Sequence, residues 1–503
     1  MLEALERHWG SREFRPLQRE TIEAVLGGRD AAVVMPTGGG KSLCYQMPVL
    51  FLPGTAVVVS PLIALMKDQV ERLNHRGIRA AALNSSTPYP EQHRIHREIR
   101  EGALRLLYVA PERLLREDTV ELIRQTPVCY YAVDEAHCIS EWGHEFRPDY
   151  RRLSELRQWH PEAPILALTA SATRRVRHDI LTQLGMRDPA KFIRSFERKN
   201  LRYMARQTDG QTQGRLLEAV LQAHAGRSVI VYASTIAVVE QTARQLNQRG
   251  IGAAAYHAQL PPEQRRAAQE RWMAGDPPVL VGTIAFGMGI DKPDVRAVIH
   301  LSLPKSLEQY YQEAGRAGRA GEPSDCLLLW QAADAGVIAY FIKQIADEAE
   351  RQRAWRRYHD IRGYAQSLMC RHVTICRHFG EPVASRICGM CDVCGPVPEW
   401  YEQTQQPGKT PVRIRPERRP KVKVTVAAPG AEAIFQKLRA WRLKLARREQ
   451  LPPYVIFHDS VLRSIAAVRP ANRDSLAGIS GFGPAKLEKY GAEVLKVIED
   501  ADS

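Results

Sequence analysis

"VVMPTGGGKSLCYQ", residues 33–46, decides how the first part of the chain folds. Two valines and a methionine read as the end of a β-strand, a glycine-rich turn follows, and a helix is expected from about Lys41. The turn runs from Thr37 through Gly38, Gly39 and Gly40, whose backbone N–H groups can approach phosphates because no Cβ intervenes. Lys41 is placed to reach the β- and γ-phosphates of ATP, and the Ser42 hydroxyl to bind Mg²⁺. The strict phosphate-loop pattern wants a glycine where Met35 stands. Three consecutive glycines leave the mechanics intact, and a plain strand–turn–helix would have no use for Gly-Lys-Ser at the helix start.

Around this stretch, residues 1–196 alternate short apolar runs ("AAVVM", "TAVVVS", "LRLLYVA", "CYYAVD", "ILALTAS") with amphipathic segments. That alternation predicts an α/β domain, a parallel sheet covered on both faces. It restarts near 197 with "SVIVYAS", "GAAAYH", "PVLVGT", "AVIHLS" and "DCLLLW", giving a second α/β domain over 197–335. In the first domain Asp134, at the carboxyl end of "CYYAVD", is expected to hold Mg²⁺ through water. Glu135 is expected to polarise the attacking water. In the second, "QEAGRAGRAG" (312–321) offers Arg316 and Arg319 as arginine fingers. A finger contributes roughly 10³–10⁵ in phosphoryl-transfer rate. Such a site lies between two domains and closes when both engage ATP.

Directly after Glu135 comes "AHCISEWGHEFRPDY", too polar and glycine-broken for a buried strand. Its Trp142, Phe146, Arg147 and Tyr150 suit a surface that grips something flat and charged. A base stacked on an aromatic ring contributes about 1–3 kcal/mol whatever its sequence. Trp142, Phe146 and Arg147 are the expected contacts with single-stranded DNA, with Ser140 and His144 relaying to His137.

The chain has 503 residues, a net charge of +15, 44% hydrophobic and 25% charged residues. These values predict several globular domains and favour a polyanionic partner. The N-terminal "MLEALERHWG" lacks the apolar core of a signal peptide, and no apolar run is long enough to span a membrane, so a cytoplasmic protein with no membrane partner is expected. Residues 336–369 read as two antiparallel helices broken near Gly363. Cys370, Cys388, Cys391 and Cys394 then give C-x17-C-x2-C-x2-C, a closed four-thiolate shell for Zn²⁺ that completes a helical module over 336–396. An iron–sulfur cluster is the rival, although Pro398 stands where a ferredoxin pattern wants its fourth cysteine. Cys376 reads as a buried helix residue. Residues 397–429, rich in Pro, Lys and Arg, read as a basic linker. Over 430–503 apolar side chains return at helical spacing (Ile434, Leu438, Trp441, Leu445), predicting a small all-α domain.

Together these motifs resemble the RecQ family of superfamily-two DNA helicases over roughly residues 9–396. The resemblance implies two RecA-like motor domains, a zinc-binding helical module, and 3′-to-5′ unwinding of forked or partially duplex DNA during repair and recombination. "FRPLQRE" resembles the adenine-recognition motif and places Arg15 and Gln18 on the base; an aromatic or large apolar residue is common where Ser11 stands. "LALTASAT" resembles the element linking hydrolysis to strand movement. "VGTIAFGMGIDKPDV" implies that Thr283 touches the DNA backbone and that Gly287 and Asp291 face the nucleotide. The stretch after DEAH resembles the family's DNA-sensing loop. Many relatives carry a winged-helix domain after the zinc module, where this chain has only its linker. The tail resembles the helicase-and-RNase-D C-terminal (HRDC) domain. In "GISGFGPAKL" a helix N-terminus and Lys486 would meet a phosphate and Tyr490 would offer a stacking face; a packing turn in a protein-binding module is the alternative. Two other functions stay open on the sequence: a DNA-stimulated translocase or annealing remodeller without robust unwinding, and a DNA-binding scaffold with a vestigial ATPase. RNA is a possible substrate on chemistry alone.

Overall fold

The computed structural model describes residues 1–284, 286, 292–383, 387–402, 431–448, 456–457, 459–477, 479 and 484–502. These fall in two compact units, one holding both sheets and the cysteine module, the other the C-terminal helices.

The first sheet has seven parallel strands: β1 (Ala31–Val34), β2 (Thr55–Val59), β3 (Ala80–Leu83), β4 (Leu106–Val109), β5 (Val128–Val133), β6 (Ile165–Thr169) and β7 (Ala190–Ile193). Their order is β3-β4-β2-β5-β6-β1-β7. Every residue of β2, β4 and β6 is buried, as expected for central parallel strands with helices on both faces. Two strands were not legible in the sequence. β3 opens with three alanines, which carry little strand preference, and β7 is an edge strand with alternating exposure.

The second sheet has six parallel strands: β8 (Leu201–Gln207), β9 (Ser228–Tyr232), β10 (Ala253–Tyr256), β11 (Val279–Gly282), β12 (Val295–His300) and β13 (Ser324–Trp330). Their order is β10-β11-β9-β12-β13-β8. β8 also escaped the sequence reading, because Arg202, Arg206 and Gln207 break its apolar run.

Three helices follow: Ala332–Lys343, Glu348–Gln366 and Arg371–His378. The break between the first two falls before Asp347, whose side chain caps the second, and not near Gly363 as the sequence suggested. Gly363 sits inside that helix on its exposed side, where a glycine costs about 1 kcal/mol against alanine without ending the helix. The first residues of the expected linker are packed. Val397, Trp400 and Tyr401 pack against the second sheet's core, and the Arg206 guanidinium lies 4.2 Å from the Tyr401 ring centroid. Residues 403–430 lie outside the described residues.

In the C-terminal unit, the helices Ala431–Arg448, Asp459–Val468 and Pro484–Asp502 enclose a core that includes Ile434, Leu438, Leu445, Phe457, Leu462 and Val494. Trp441 is partly buried against it.

Candidate nucleotide and nucleic-acid site

The strand order brings the carboxyl ends of β1, β6 and β5 side by side, the usual ligand crevice of an open parallel sheet. The glycine loop, Ala170 and Asp134–Glu135 therefore converge on one cleft of about 730 Å³. Gly38 and Gly40 adopt φ of 78° and 85°, the left-handed region. The helix Lys41–Gln46 starts where the sequence predicts. Lys41, Ser42, Asp134 and Glu135 line the cleft, as do Arg316 and Arg319 from the second domain. Arg15 donates to Gly38 O (2.6 Å) and Gln18 to Gly40 O (2.9 Å). Both residues thus brace the phosphate loop, with Arg15 also on the cleft wall.

Lys41 Nζ donates to Met35 O (3.1 Å). Burial lowers its pKa, opposed by Glu135 and Asp134. Burial and the adjoining Glu135 push Asp134 up to about 7. Burial alone would raise Glu135 too, but the hydrogen bond and charge of His137, 3.3 Å away, hold it at about 2. Asp134, which is buried, and Glu135, which is partly exposed, thus present carboxylate oxygens beside Lys41 where a bound cation could be held. Glu135 itself has φ of 47°, rare for a residue with a side chain, at the turn out of β5. Tyr150, which reads as a gripping residue in the sequence, is instead buried and donates to Asp134 O (3.0 Å).

The segment after Asp134–Glu135 spans from this cleft to the helix Glu348–Gln366. His137 Nδ1 lies 2.9 Å from Thr169 Oγ1, and His144 stacks on His137. Ser140 donates to Asp179 Oδ2 (2.7 Å) and caps the turn by accepting from Trp142 N. Trp142 is half-buried, with the Arg175 guanidinium 3.1 Å from its centroid and those of Arg356 and Arg353 at 5.4 and 5.7 Å. Its face is therefore occupied by cations in this conformation. Glu141 pairs with Arg151 and Arg353. Phe146 lies against Arg151, and Arg147 points toward Pro61 O (3.5 Å).

The arginine turn is held by residues that sequence reasoning missed. Arg198 donates to Thr37 O (3.2 Å) on the phosphate loop and to Gly315, Ala317 and Gly318 carbonyls at 3.2–3.5 Å. Asn200 donates to Gly318 O (2.8 Å). Gln312 donates to Ser171 Oγ (2.8 Å), tying the same element to the first domain. "FERKN" carries no local pattern that announces this role. Thr283 stands at the carboxyl end of β11; Gly287 and Asp291 lie outside the described residues.

Cys370, Cys388, Cys391 and Cys394 bring their sulfurs within 4.8 Å of one another. Two of the sulfur pairs stand 3.4 and 3.6 Å apart, against about 3.8 Å in a tetrahedral shell with Zn–S near 2.3 Å. Backbone N–H groups of Arg371, Cys388 and Met390 point at these sulfurs, as thiolate ligands require. The four residues fit Zn²⁺. Cys376 lies apart, buried on the helix Arg371–His378. In the C-terminal unit, Tyr490 is not a stacking face. Its ring is buried against Phe457 and Trp441, completing a small core. Lys486 falls on the last helix, with its side chain outside what is described.

Among the described residues no helix is long and apolar enough to cross a membrane. Residues 15–180 match the DEAD/DEAH box helicase family, 212–321 the helicase conserved C-terminal domain, 332–395 RecQ zinc-binding and 431–498 the HRDC domain. Among solved structures, a Mycobacterium smegmatis helicase Lhr bound to ssDNA and AMP-PNP is 22% identical, with a TM-score of 0.51 over 67% of this chain and 48% of that one. The chain thus spans about half of that structure, and the likeness shows the fold. The ATP-dependent DNA helicase RecQ of Haemophilus influenzae is 33% identical over 99% of this chain and 96% of its own length; that of Bacillus subtilis is 32% identical over 98% of each. The first of these alignments runs over 594 positions, so the relative has residues that this 503-residue chain lacks. With all four domains matched and relatives aligned almost end to end, the chain belongs to the RecQ family of ATP-dependent, zinc-binding DNA helicases.

Proposed function

We propose that this chain unwinds forked or partially duplex DNA by moving 3′ to 5′ along one strand, closing its two sheets on ATP and opening them after hydrolysis. One observation carries the reading: a single segment, residues 134–147, runs from the two carboxylates of the cleft to Trp142 and its arginines. Binding of single-stranded DNA would compete with the arginines for the indole face and move His144 against His137. The same bond network then reaches Glu135, which orients the attacking water. Mg²⁺, held by Ser42 and through water by Asp134, would neutralise phosphate charge. Lys41 binds the β- and γ-phosphates, and Arg316 and Arg319 meet the charge that develops in transfer. Thr283, Phe146 and Arg147 line the DNA track, and Gly287 and Asp291 complete the nucleotide side. Such a substrate fits a cytoplasmic location, nucleoid-associated if the protein is bacterial.

The test is the ATPase rate with and without single-stranded oligonucleotide, for wild type and for Trp142→Ala with Phe146→Ala. Strong stimulation is expected in wild type and its loss in the double variant, with ATP binding retained. Equal rates with and without DNA in wild type would end the motor reading. A forked duplex with a 3′ tail against one with a 5′ tail tests direction.

A further inference from the structure

The short connector between the two sheets, Phe196–Asn200, touches three functional elements at once. Its Arg198 guanidinium sits among carbonyls of the phosphate loop (Thr37) and of the arginine turn (Gly315, Ala317, Gly318). Gly318 has φ of 59°, and a Cβ there would collide with Asn200, so turn and connector are fitted to each other. From the other side the connector is gripped by the cysteine module. Phe196 N donates to Glu381 Oε2 (2.8 Å), and the Phe196 ring stacks on Phe379 with centroids 4.2 Å apart. The Arg198 carbonyl lies 3.1 Å from His372 Nε2, and the other nitrogen of that ring lies 3.1 Å from Cys388 Sγ. A chain of close contacts therefore runs from a sulfur of the cysteine shell, past the His372 ring, to the Arg198 peptide, whose guanidinium reaches the loop that cradles phosphate.

We propose that Arg198 is a positioning residue for ATP hydrolysis, setting Arg316 and Arg319 over the phosphate loop, and that the zinc centre holds it there through His372. A guanidinium has five donors in a fixed fork, so it can serve several carbonyls in one plane where lysine offers a point charge. Because Arg198 bridges backbone of the phosphate loop and of the arginine turn, it acts chiefly on how the arginines meet the phosphates. The link works in both directions: whatever closes the cleft also restrains His372 beside the metal shell, as reciprocity of coupled sites demands.

The inference rests on the nucleotide-driven closure proposed above, and two measurements on the full chain test it. In steady-state hydrolysis with single-stranded oligonucleotide, Arg198→Ala is expected to lower kcat by about ten- to a hundred-fold, the size of a small misplacement of reacting groups. KM for ATP and oligonucleotide affinity should stay within about three-fold, and Arg198→Lys should recover part of kcat. In the second measurement, Zn²⁺ release to a coloured chelator is timed with and without a saturating non-hydrolysable ATP analogue. Wild type should release roughly five-fold more slowly with the analogue, and His372→Ala and Arg198→Ala should release at one rate in both conditions. Unchanged kcat in Arg198→Ala, or a loss confined to KM, overturns the positioning role. Zinc release in wild type that ignores the analogue overturns the link to the metal. Should Arg198→Ala fail to fold, Arg198→Lys and the wild-type zinc measurement decide. Wild type without DNA-stimulated hydrolysis would sink the functional reading itself, whereas a stimulated wild type with an indifferent Arg198 variant sinks only this inference.

Discussion

His144 lies flat on His137, with ring centroids 4.5 Å apart and planes 10° from parallel. His137 in turn lies 3.3 Å from Glu135 Oε2, so one stacked pair separates the aromatic segment from the carboxylate proposed to orient water. Burial, with His137 beside it, lowers the His144 pKa to about 4, so the ring is neutral at pH 7 and stacks without charge repulsion. Replacing His144 by alanine should leave basal hydrolysis and nucleotide binding in place and remove most DNA stimulation. A coupling free energy of about 1–3 kcal/mol corresponds to roughly a 5–150-fold effect on the stimulated rate. Basal and stimulated rates falling together would show that His144 serves the chemistry and not the signal.

Arg319 runs along the phosphate loop so closely that a Cβ at Gly38 would stand 3.0 Å from its Cγ. Arg316, on the same turn, lines the same cleft. Charge developing on the transferred phosphoryl group should be met by these side chains, so Arg316→Ala and Arg319→Ala should each lower kcat, the finger by about 10³-fold or more. Binding of a fluorescent ADP should persist in both, while Lys41→Ala should lose hydrolysis and weaken binding. The variant with the larger kcat defect at equal ADP affinity identifies the finger. Wild-type kcat in both variants would remove the second domain from the reaction.

Legibility in the sequence followed locality. The phosphate loop is readable because glycines, lysine and serine act within one turn, and the strands before and after it are readable because buried parallel strands are apolar throughout. Asp134 and Glu135 are readable for the same reason, as the end of such a strand. Arg198 is not, because its partners lie 117–161 residues away and its neighbours form no motif. Tyr150 and Tyr490 look like surface aromatics amid polar sequence, yet each fills a core whose other walls come from distant elements. Trp142 stands out in the sequence as an aromatic amid polar residues, but the arginines that cover it do not, since Arg353 and Arg356 arrive from a helix two hundred residues on.

The cysteine shell makes a stoichiometric prediction. Purified protein should carry one Zn²⁺ per chain and show no visible iron–sulfur absorption. Cys391→Ser should abolish metal content and sharply destabilise the module, since a structural zinc supplies about 10–16 kcal/mol in small peptides. Cys376→Ser should keep its zinc, because that thiol lies on the helix Arg371–His378 away from the cluster. Metal analysis beside a thermal melt checks all three, and a zinc-free Cys376→Ser protein would refute the ligand assignment.

His378 Nε2 meets Glu308 Oε1 at 2.7 Å, joining the cysteine module to the helix Leu307–Ala314 that leads into the arginine turn. Burial would depress the imidazole, yet Glu308, aided by Asp360, raises its pKa above the ordinary value. Burial would raise Glu308, yet the bond from His378 holds it at about 2. A histidine raised on folding contributes stability that is complete below its ordinary value of about 6.5 and is lost as pH rises through the folded value. The depressed Glu308 contributes stability that is present above its ordinary range and is lost as pH falls through about 2. Both contributions hold together near pH 6. His378→Gln should therefore lower the melting temperature most at about pH 6, with the gap to wild type narrowing toward about pH 9. Breaking one side of a buried pair costs about 3–5 kcal/mol at most. Paired melts across that range read the effect directly, and a gap that is flat or that widens with pH would show that the pair is not ionised in the folded protein.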